Sequence, residues 1–254
     1  MWLNPLNIRK KLIVNDALSI KHRFSKSART YQTRAGIQAQ VAQTLASYVK
    51  APAKKILEIG CGTGLLTEQL LKKFPQAELT ATDMSCEMLD IARSNLTKDG
   101  STQPLKFELL NPESEPLKGT YDLIIASMVV HWFQNPLETI TTITDALAPN
   151  GHFYFSTIGP DCFAEWQQAL RENDLPMGLR IPPSLPGIFE QEYKSVSYDS
   201  AQDFLYHLKA TGAHRPRSDY IPLSMSQLKR AMLSLEQRDD ANLTWHITYG
   251  RLRG

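Results

Sequence analysis

The sequence has little cysteine: Cys61, Cys86 and Cys162 are all there is, an odd number without any C-x-x-C spacing. That count argues against a disulfide framework and against a cysteine zinc site, and it suits a reducing compartment, so a cytoplasmic setting is expected. No apolar run approaches the roughly 18 residues a membrane-spanning helix needs. Arg9, Lys10, Lys11, Asn15 and Asp16 interrupt the first twenty residues, which excludes the apolar stretch of a secretory signal there. Neither sign of charge is in excess, because 28 basic residues meet 26 acidic ones for a net charge of +2. Bulk basicity therefore gives no reason to expect nucleic acid as a partner. Internal repeats and low-complexity segments are missing too. What remains is ordinary globular usage, 42% hydrophobic and 21% charged over 254 residues. That length suits one large domain with a well-buried core.

Strand-like and helix-like segments alternate through the first half. Ala28, Tyr31, Ile37, Val41, Leu45 and Val49 recur at helical spacing over 28–50, and Pro52 ends that run. A short strand over 54–59 leads into Gly60-Cys61-Gly62-Thr63-Gly64 and a helix over 65–74. A second strand over 78–82 ends at Asp83, and Ser85 is a helix N-cap for 86–95. Strands follow at about 105–110 and 122–127, then a helix over 136–147 closed by Pro149-Asn150-Gly151, and a fifth strand over 152–157. The run Leu123-Ile124-Ile125-Ala126 reads as a strand covered on both faces. Such βαβαβ alternation with right-handed crossovers predicts a doubly wound, mostly parallel α/β sheet. Beyond Thr157 the pattern loosens. Helices are expected over 160–174, 200–211 and 224–235, and strands over 193–198 and 243–249. Pro176, Pro182, Pro183 and Pro186 with Gly178 and Gly187 mark 176–190 as an irregular segment or small lid. No linker divides the chain. The expected organisation is a single domain over 1–254, with a helical cover at 1–50, a cofactor-binding core at 54–157 and a substrate region with the terminal strands at 158–254.

Four places carry chemistry. The loop Glu58-Ile59-Gly60-Cys61-Gly62-Thr63-Gly64 stands between a strand and a helix. Gly60 permits a sharp turn, Gly62 leaves room for a ligand, and Gly64 lets the helix pack near the strand. A pyrophosphate would need main-chain donors at a helix start. The carboxylate of Glu58, two residues ahead of the first glycine, instead suits a ligand with a cationic amino-acid end. Asp83, at the tip of the next strand, can accept both hydroxyls of an adenosine ribose. Asn111, after the third strand, can accept from an adenine amino group, although Asn111-Pro112 also reads as a simple turn. Ser127 to Phe133 follows the fourth strand, so His131 and Trp132 reach the carboxyl ends of the strands where such sheets bind ligands. His131 reads equally as a satisfied structural histidine.

These residues resemble the class I S-adenosylmethionine-dependent methyltransferases over roughly 54–157. Glu58–Gly64 is similar to their first motif, Asp83-Met84 to the acidic end of their second strand, and Tyr121–Trp132 to their fourth-strand motif. The resemblance implies a seven-stranded Rossmann-like sheet. It also implies S-adenosyl-L-methionine as cofactor and S-adenosyl-L-homocysteine as product, bound by Glu58, Gly60, Cys61, Gly62, Gly64, Asp83, Met84, Asn111, Pro112 and Ser127, with no metal. A narrower likeness spans most of the chain. His22–Tyr31 with Gln38, Ser156–Pro160 with Glu165, Leu208–Ala213, and Leu243–His246 with Tyr249-Gly250 resemble segments of the malonyl-[acyl-carrier protein] O-methyltransferases of biotin synthesis. Two positions depart from that family's pattern, which has Asp where Asn111 stands and Ala where Pro112 stands. The first nineteen residues have no counterpart, and 176–190 fits poorly.

The narrower resemblance implies methyl transfer to the free carboxyl of a malonyl thioester on acyl-carrier protein or coenzyme A. A carboxylate is already ionised near neutral pH, so the enzyme aligns its reactants and needs no general base. No residue is expected to be catalytic in the acid–base sense. Tyr31, His22, His131 and Arg180 are the expected substrate-positioning residues. Arg9, Lys10, Lys11, Lys21, Arg23, Lys26, Arg29 and Arg34 could dock an acidic carrier. A monomer is expected, with neither nucleic acid nor membrane as partner. Three other readings stand beside this one: a methyltransferase of another small carboxylate or quinone-type substrate, a nicotinamide-dependent dehydrogenase, and a cofactor-binding module without turnover.

Overall fold

A computed structural model describes residues 36–96, 104–210 and 220–254. Its centre is a seven-stranded sheet in the order β3-β2-β1-β4-β5-β7-β6. The elements in chain order are α1 (Gly36–Tyr48), β1 (Lys55–Ile59), α2 (Leu65–Lys73), β2 (Glu78–Asp83), α3 (Cys86–Leu96), β3 (Leu105–Leu109) and β4 (Tyr121–Ser127). A 3₁₀ turn (Val130–Trp132) follows, then α4 (Pro136–Asp145), β5 (Leu147–Ile158), α5 (Ala164–Glu172), β6 (Ile188–Ser197), α6 (Ala201–Ala210), α7 (Met225–Asp239) and β7 (Asn242–Arg253). Strands β1 to β5 are parallel to one another, and β7 alone opposes its neighbours β5 and β6.

Side-chain alternation along the strands explains why both faces must be covered. Ile56, Leu123, Ile125 and Tyr154 point to the face packed by α1, α2 and α5–α7, where Val41, Leu45, Leu70, Trp166, Phe204 and Leu235 complete the larger core. Their sequence neighbours Leu57, Ile124, Ala126, Phe153 and Phe155 point the other way, onto Ile140 and Ile143 of α4. In Leu123-Ile124-Ile125-Ala126 every residue is thus apolar because each face is interior. A third cluster under α3 joins Cys61, Ala81, Leu89 and Ala92.

Side chains cap two of the helices, the first as expected. Ser85 Oγ accepts from the Met88 main-chain N–H at 3.2 Å and caps α3. Ser224 and Gln227 form a reciprocal capping box at the start of α7. Strand β5 is longer than predicted, beginning at Leu147 rather than 152. Asn150 adopts φ +67°, and the register between β4 and β5 shifts there, so Pro149-Asn150-Gly151 lies within an irregular strand start. The 160–174 helix begins only at Ala164, because Gly159 and Phe163 hydrogen-bond to His246 and Thr244 of β7 instead. Strand β6 begins at Ile188, inside the stretch expected to be irregular, because it pairs with β7 along its length. The irregular segment itself runs from Asn173 to Gly187. The part of the first predicted helix before residue 36 lies outside the described residues. Among those described, no helix is long and apolar enough to cross a membrane.

Candidate active site

Strand order reverses beside β1: β2 and β3 lie to one side, β4 and β5 to the other. Ligands of open α/β sheets bind outside the strand ends at such a reversal. The glycine loop after β1 and the loop after β4 meet there. Gly60 has φ +69°, and a Cβ at that position would lie 2.5 Å from Cγ2 of Val129, so no other residue fits. Gly62 also has positive φ, +54°, yet a Cβ there would meet nothing within 4 Å. The loop is therefore tight behind Gly60 and open in front of Gly62, a cradle in which main chain faces free space. Gly64 serves a different contact from the expected one. A Cβ there would come 2.9 Å from Leu96, so its smallness lets α2 approach α3 rather than the strand.

Two buried carboxyls stand behind the loop. Glu58 is 1% exposed and accepts a 2.7 Å hydrogen bond from the Thr67 hydroxyl of α2. Burial, reinforced by the negative charge of Asp83, pushes its carboxyl up to about 8. Asp83 accepts from the Gly62 N–H through Oδ2 and from the Ser85 N–H through Oδ1, both at 2.9 Å. Burial raises its carboxyl to about 6, against those main-chain hydrogen bonds. Asp83 thus holds the loop in shape. Cys61 is buried, donates its main-chain N–H to Thr82 and has its thiol pushed up by burial, so it takes no part as a nucleophile. Thr63 Oγ1, beside the loop, is buried without a hydrogen-bond partner. Met84 is half-buried next to Asp83.

Asn111 and Pro112 are half-buried after β3. The Asn111 side-chain oxygen accepts from the Glu113 N–H at 3.1 Å, so the turn anticipated for Asn-Pro is present, and one lone pair of that oxygen is spent on it. Ser127 Oγ lies 3.3 Å from Ser156 Oγ, at the ends of β4 and β5. Next to it Met128 has φ +57°, a rare conformation for a side-chain-bearing residue, held by its N–H donating to Ser156 O and Oγ.

Of the four expected substrate-positioning residues, Tyr31 and His22 lie outside the described residues, as do the N-terminal basic residues. The other two come together. His131 is buried, its Nδ1 3.1 Å from Thr157 Oγ1. Burial and the positive charge of Arg180 push its imidazole down to about 3, so it is neutral at ordinary pH. Arg180 crosses from the irregular 173–187 segment and donates to Trp132 O at 3.3 Å and Gln134 Oε1 at 2.8 Å. Glu113 sits close by. Its Oε1 accepts from the N–H groups of Gln134 (2.6 Å) and Asn135 (3.1 Å); burial raises its carboxyl above the ordinary value, opposed by those hydrogen bonds and by the charge of Arg180. Sequence reading missed Thr67, Glu113, Gln134 and Thr157, because no spacing links them and only the fold brings them to one place. Among the described residues, no group of three or more His, Cys, Asp or Glu side chains is arranged to hold a metal ion.

A methyltransferase-domain family matches residues 57–153. The chain is 32% identical over 249 residues to a malonyl-[acyl-carrier protein] O-methyltransferase of Halalkalibacterium halodurans, covering 88% of this chain and 92% of that protein. The chain belongs to the malonyl-[acyl-carrier protein] O-methyltransferase family. This methyltransferase is also 36% identical over 248 residues to a biotin biosynthesis bifunctional protein of Bordetella avium. That match takes in 92% of this chain but only 52% of the relative, so the chain spans about half the length of the bifunctional protein. Solved structures share the fold of this methyltransferase at low identity. The YcgJ protein of Bacillus subtilis superposes with a TM-score of 0.57 at 14% identity, over 83% of this chain and 95% of that one. The plantazolicin methyltransferase BpumL, solved with SAH and a pentazolic desmethylPZN analogue, gives 0.52 at 20%, over 96% and 98%. The dehydrogenase reading is thereby set aside.

Proposed function

We propose that this chain transfers a methyl group from S-adenosyl-L-methionine to the free carboxyl of a malonyl thioester on acyl-carrier protein. The products are S-adenosyl-L-homocysteine and a malonyl methyl ester that primes biotin synthesis. The observation that carries the reading is the glycine cradle. Gly62 is open to a ligand on one side while Asp83 grips its N–H from the other, at the point where strand order reverses. The open space before Gly62 and the unpartnered Thr63 hydroxyl suit the amino-acid end of such a nucleotide. The donor supplies an electrophilic methyl group on a cationic sulfur. Residues of this chain do the rest. Glu58, Gly60, Cys61, Gly62 and Gly64 shape the cradle, Asp83 and Met84 face the ribose, and Asn111, Pro112 and Ser127 border the base and the reacting end. Arg180 orients the acceptor carboxylate with neutral His131 beside it, and Tyr31 and His22 are the other positioning residues of this reading.

The acceptor is already an anion, so no proton has to be removed and no metal is called for. Alignment of the two reactants and exclusion of water are what the site contributes. The reading takes 1–254 as a single domain acting as a cytoplasmic monomer, with no nucleic acid or membrane as partner. Its support is the family membership together with relatives named for this reaction over most of their length.

The test is direct. The protein is incubated with isotopically labelled methyl donor and with malonyl-acyl-carrier protein or malonyl-coenzyme A, and products are read by mass spectrometry. A base-labile methyl ester on the malonyl group is expected, and the two carriers compared reveal which is preferred. Cofactor uptake without any methyl ester on either thioester would overturn the reading. Arg180→Ala is expected to raise KM for the malonyl substrate and leave binding of S-adenosyl-L-homocysteine unchanged; an unaltered KM removes Arg180 from the site.

A further inference from the structure

Gln134 follows the 3₁₀ turn after β4 and has no place in any motif. Its Oε1 accepts from Arg180 Nη2 at 2.8 Å. A guanidinium carries donors only, so this contact decides which end of the amide is oxygen. Nε2 therefore points elsewhere, and it is buried with no hydrogen-bond partner. A buried donor left unpaired costs free energy, so a water, an ion or a ligand group is called for at such an atom. Arg180 is in a similar position. Among the described residues two of its N–H groups are engaged, by Trp132 O and Gln134 Oε1, which leaves three of the five for another acceptor. The nearby carboxylate, Glu113, has Oε1 turned to the Gln134 and Asn135 main chain. Gln134 itself belongs to the stretch after β4, in which Val129 lies against Gly60 of the cradle.

We infer that Gln134 and Arg180 form a two-donor clamp for the acceptor carboxylate, Gln134 Nε2 taking one oxygen and the Arg180 guanidinium the other. Gln134 is thereby a positioning residue, and it deepens the proposed reaction on which the inference rests. Two donors of unlike kind have a use here. A guanidinium alone can pair with either oxygen or both, whereas an amide fixed at one side leaves a single orientation and keeps one lone pair aimed away from the clamp, toward the methyl donor. The segment carrying Arg180 has no helix or strand between Asn173 and Gly187. A thioester without the distal carboxylate has nothing to offer the clamp, so the pair also selects malonyl over acetyl groups.

The test uses the full chain with malonyl-coenzyme A as substrate and acetyl-coenzyme A as competitor. Gln134→Glu keeps the acceptor that Arg180 bonds, replaces the free donor with an anionic oxygen, and repels a carboxylate. It is expected to raise KM at least about tenfold, the scale of one lost charge-assisted hydrogen bond. Binding of S-adenosyl-L-homocysteine, followed by calorimetry, stays as in the parent. Gln134→Met, similar in length and without donor or acceptor, gives the same direction and settles the matter should the Glu variant fail to fold. In both variants acetyl-coenzyme A competes more nearly as well as malonyl-coenzyme A binds. An unchanged malonyl KM in a variant that still binds the homocysteine product overturns the clamp. A parent protein that ignores malonyl thioesters but methylates another carboxylate, with the same defect in Gln134→Glu, keeps the clamp and sinks the malonyl reading instead.

Discussion

Strands β1 to β4 end in turns of main chain, and what matters there is the room left by absent side chains: the contact of Gly60 with Val129 and the open face of Gly62. Beyond Ile158 the molecule is tied together by large side chains. Trp245 of β7 is 2% exposed, packs edge-on against Phe163 and donates its indole N–H to Tyr198 Oη at 3.2 Å. Glu165 of α5 accepts from both the N–H and the hydroxyl of Thr244. His246 accepts the Asp161 N–H at Nδ1, which leaves Nε2 to donate to Gln191 Oε1 at 2.9 Å. The first region thus leaves open space before Gly62, and the second is a packed support from which the segment bearing Arg180 returns to Trp132 and Gln134. Binding and stability are in this way assigned to different halves, and substitutions should separate them.

The largest expected loss lies in the second half. Trp245→Ala removes a buried aromatic and leaves a cavity, costing roughly 3–5 kcal/mol of stability. Denaturant unfolding would show it, and a loss under about 1 kcal/mol would mean the C-terminal strands are peripheral to the fold. Gly60→Ala should follow, at about 1–3 kcal/mol for a side chain forced into positive φ against Val129. It also abolishes binding of S-adenosyl-L-homocysteine in calorimetry. Gly62→Ala has strain but no clash, so it should fold better than Gly60→Ala while still failing to bind. Equal melting temperatures for the two would erase the distinction between the closed and open sides of the loop.

The buried carboxyls offer a test by pH. An unfolded glutamate gives up its proton near 4.5, whereas Glu58 in the folded protein keeps it to about 8. Between these values the native state holds a proton the unfolded state has lost, so stability falls as pH rises through that window. Asp83 adds a smaller effect of the same sign between 3.8 and about 6. Glu58→Gln should flatten the decline of melting temperature above pH 6 in the ligand-free protein, and a profile unchanged by that substitution would place the penalty elsewhere. The smallest effect is expected at Ser224→Ala. Loss of the capping box on α7 should cost about 1 kcal/mol without touching cofactor affinity.

Most of the first half was legible in the chain itself. The glycine spacing, the apolar run over 123–126 and the cap at Ser85 are local signals, each acting within a few residues. The second half was legible only in outline. The extent of β6 depends on a partner strand more than fifty residues later, and Phe189 and Tyr193, both exposed on that edge strand, carry no alternation that announces it. The role of Glu58 was read as that of a charge facing a ligand, while the structure buries it under Thr67 and holds its proton. The pairing of His131 with Arg180 joined two expected residues that nothing in their spacing connects.

The amino-acid sequence by itself determined the order of strands and helices, the family, and the glycine loop, because these depend on periodicity and on backbone conformations that particular residues alone allow. Only the tertiary structure decided which carboxyls stay protonated, which way the Gln134 amide points and that Arg180 meets Trp132 and Gln134. Those depend on burial and on contacts across forty or more residues, and such quantities come into being when the chain closes on itself.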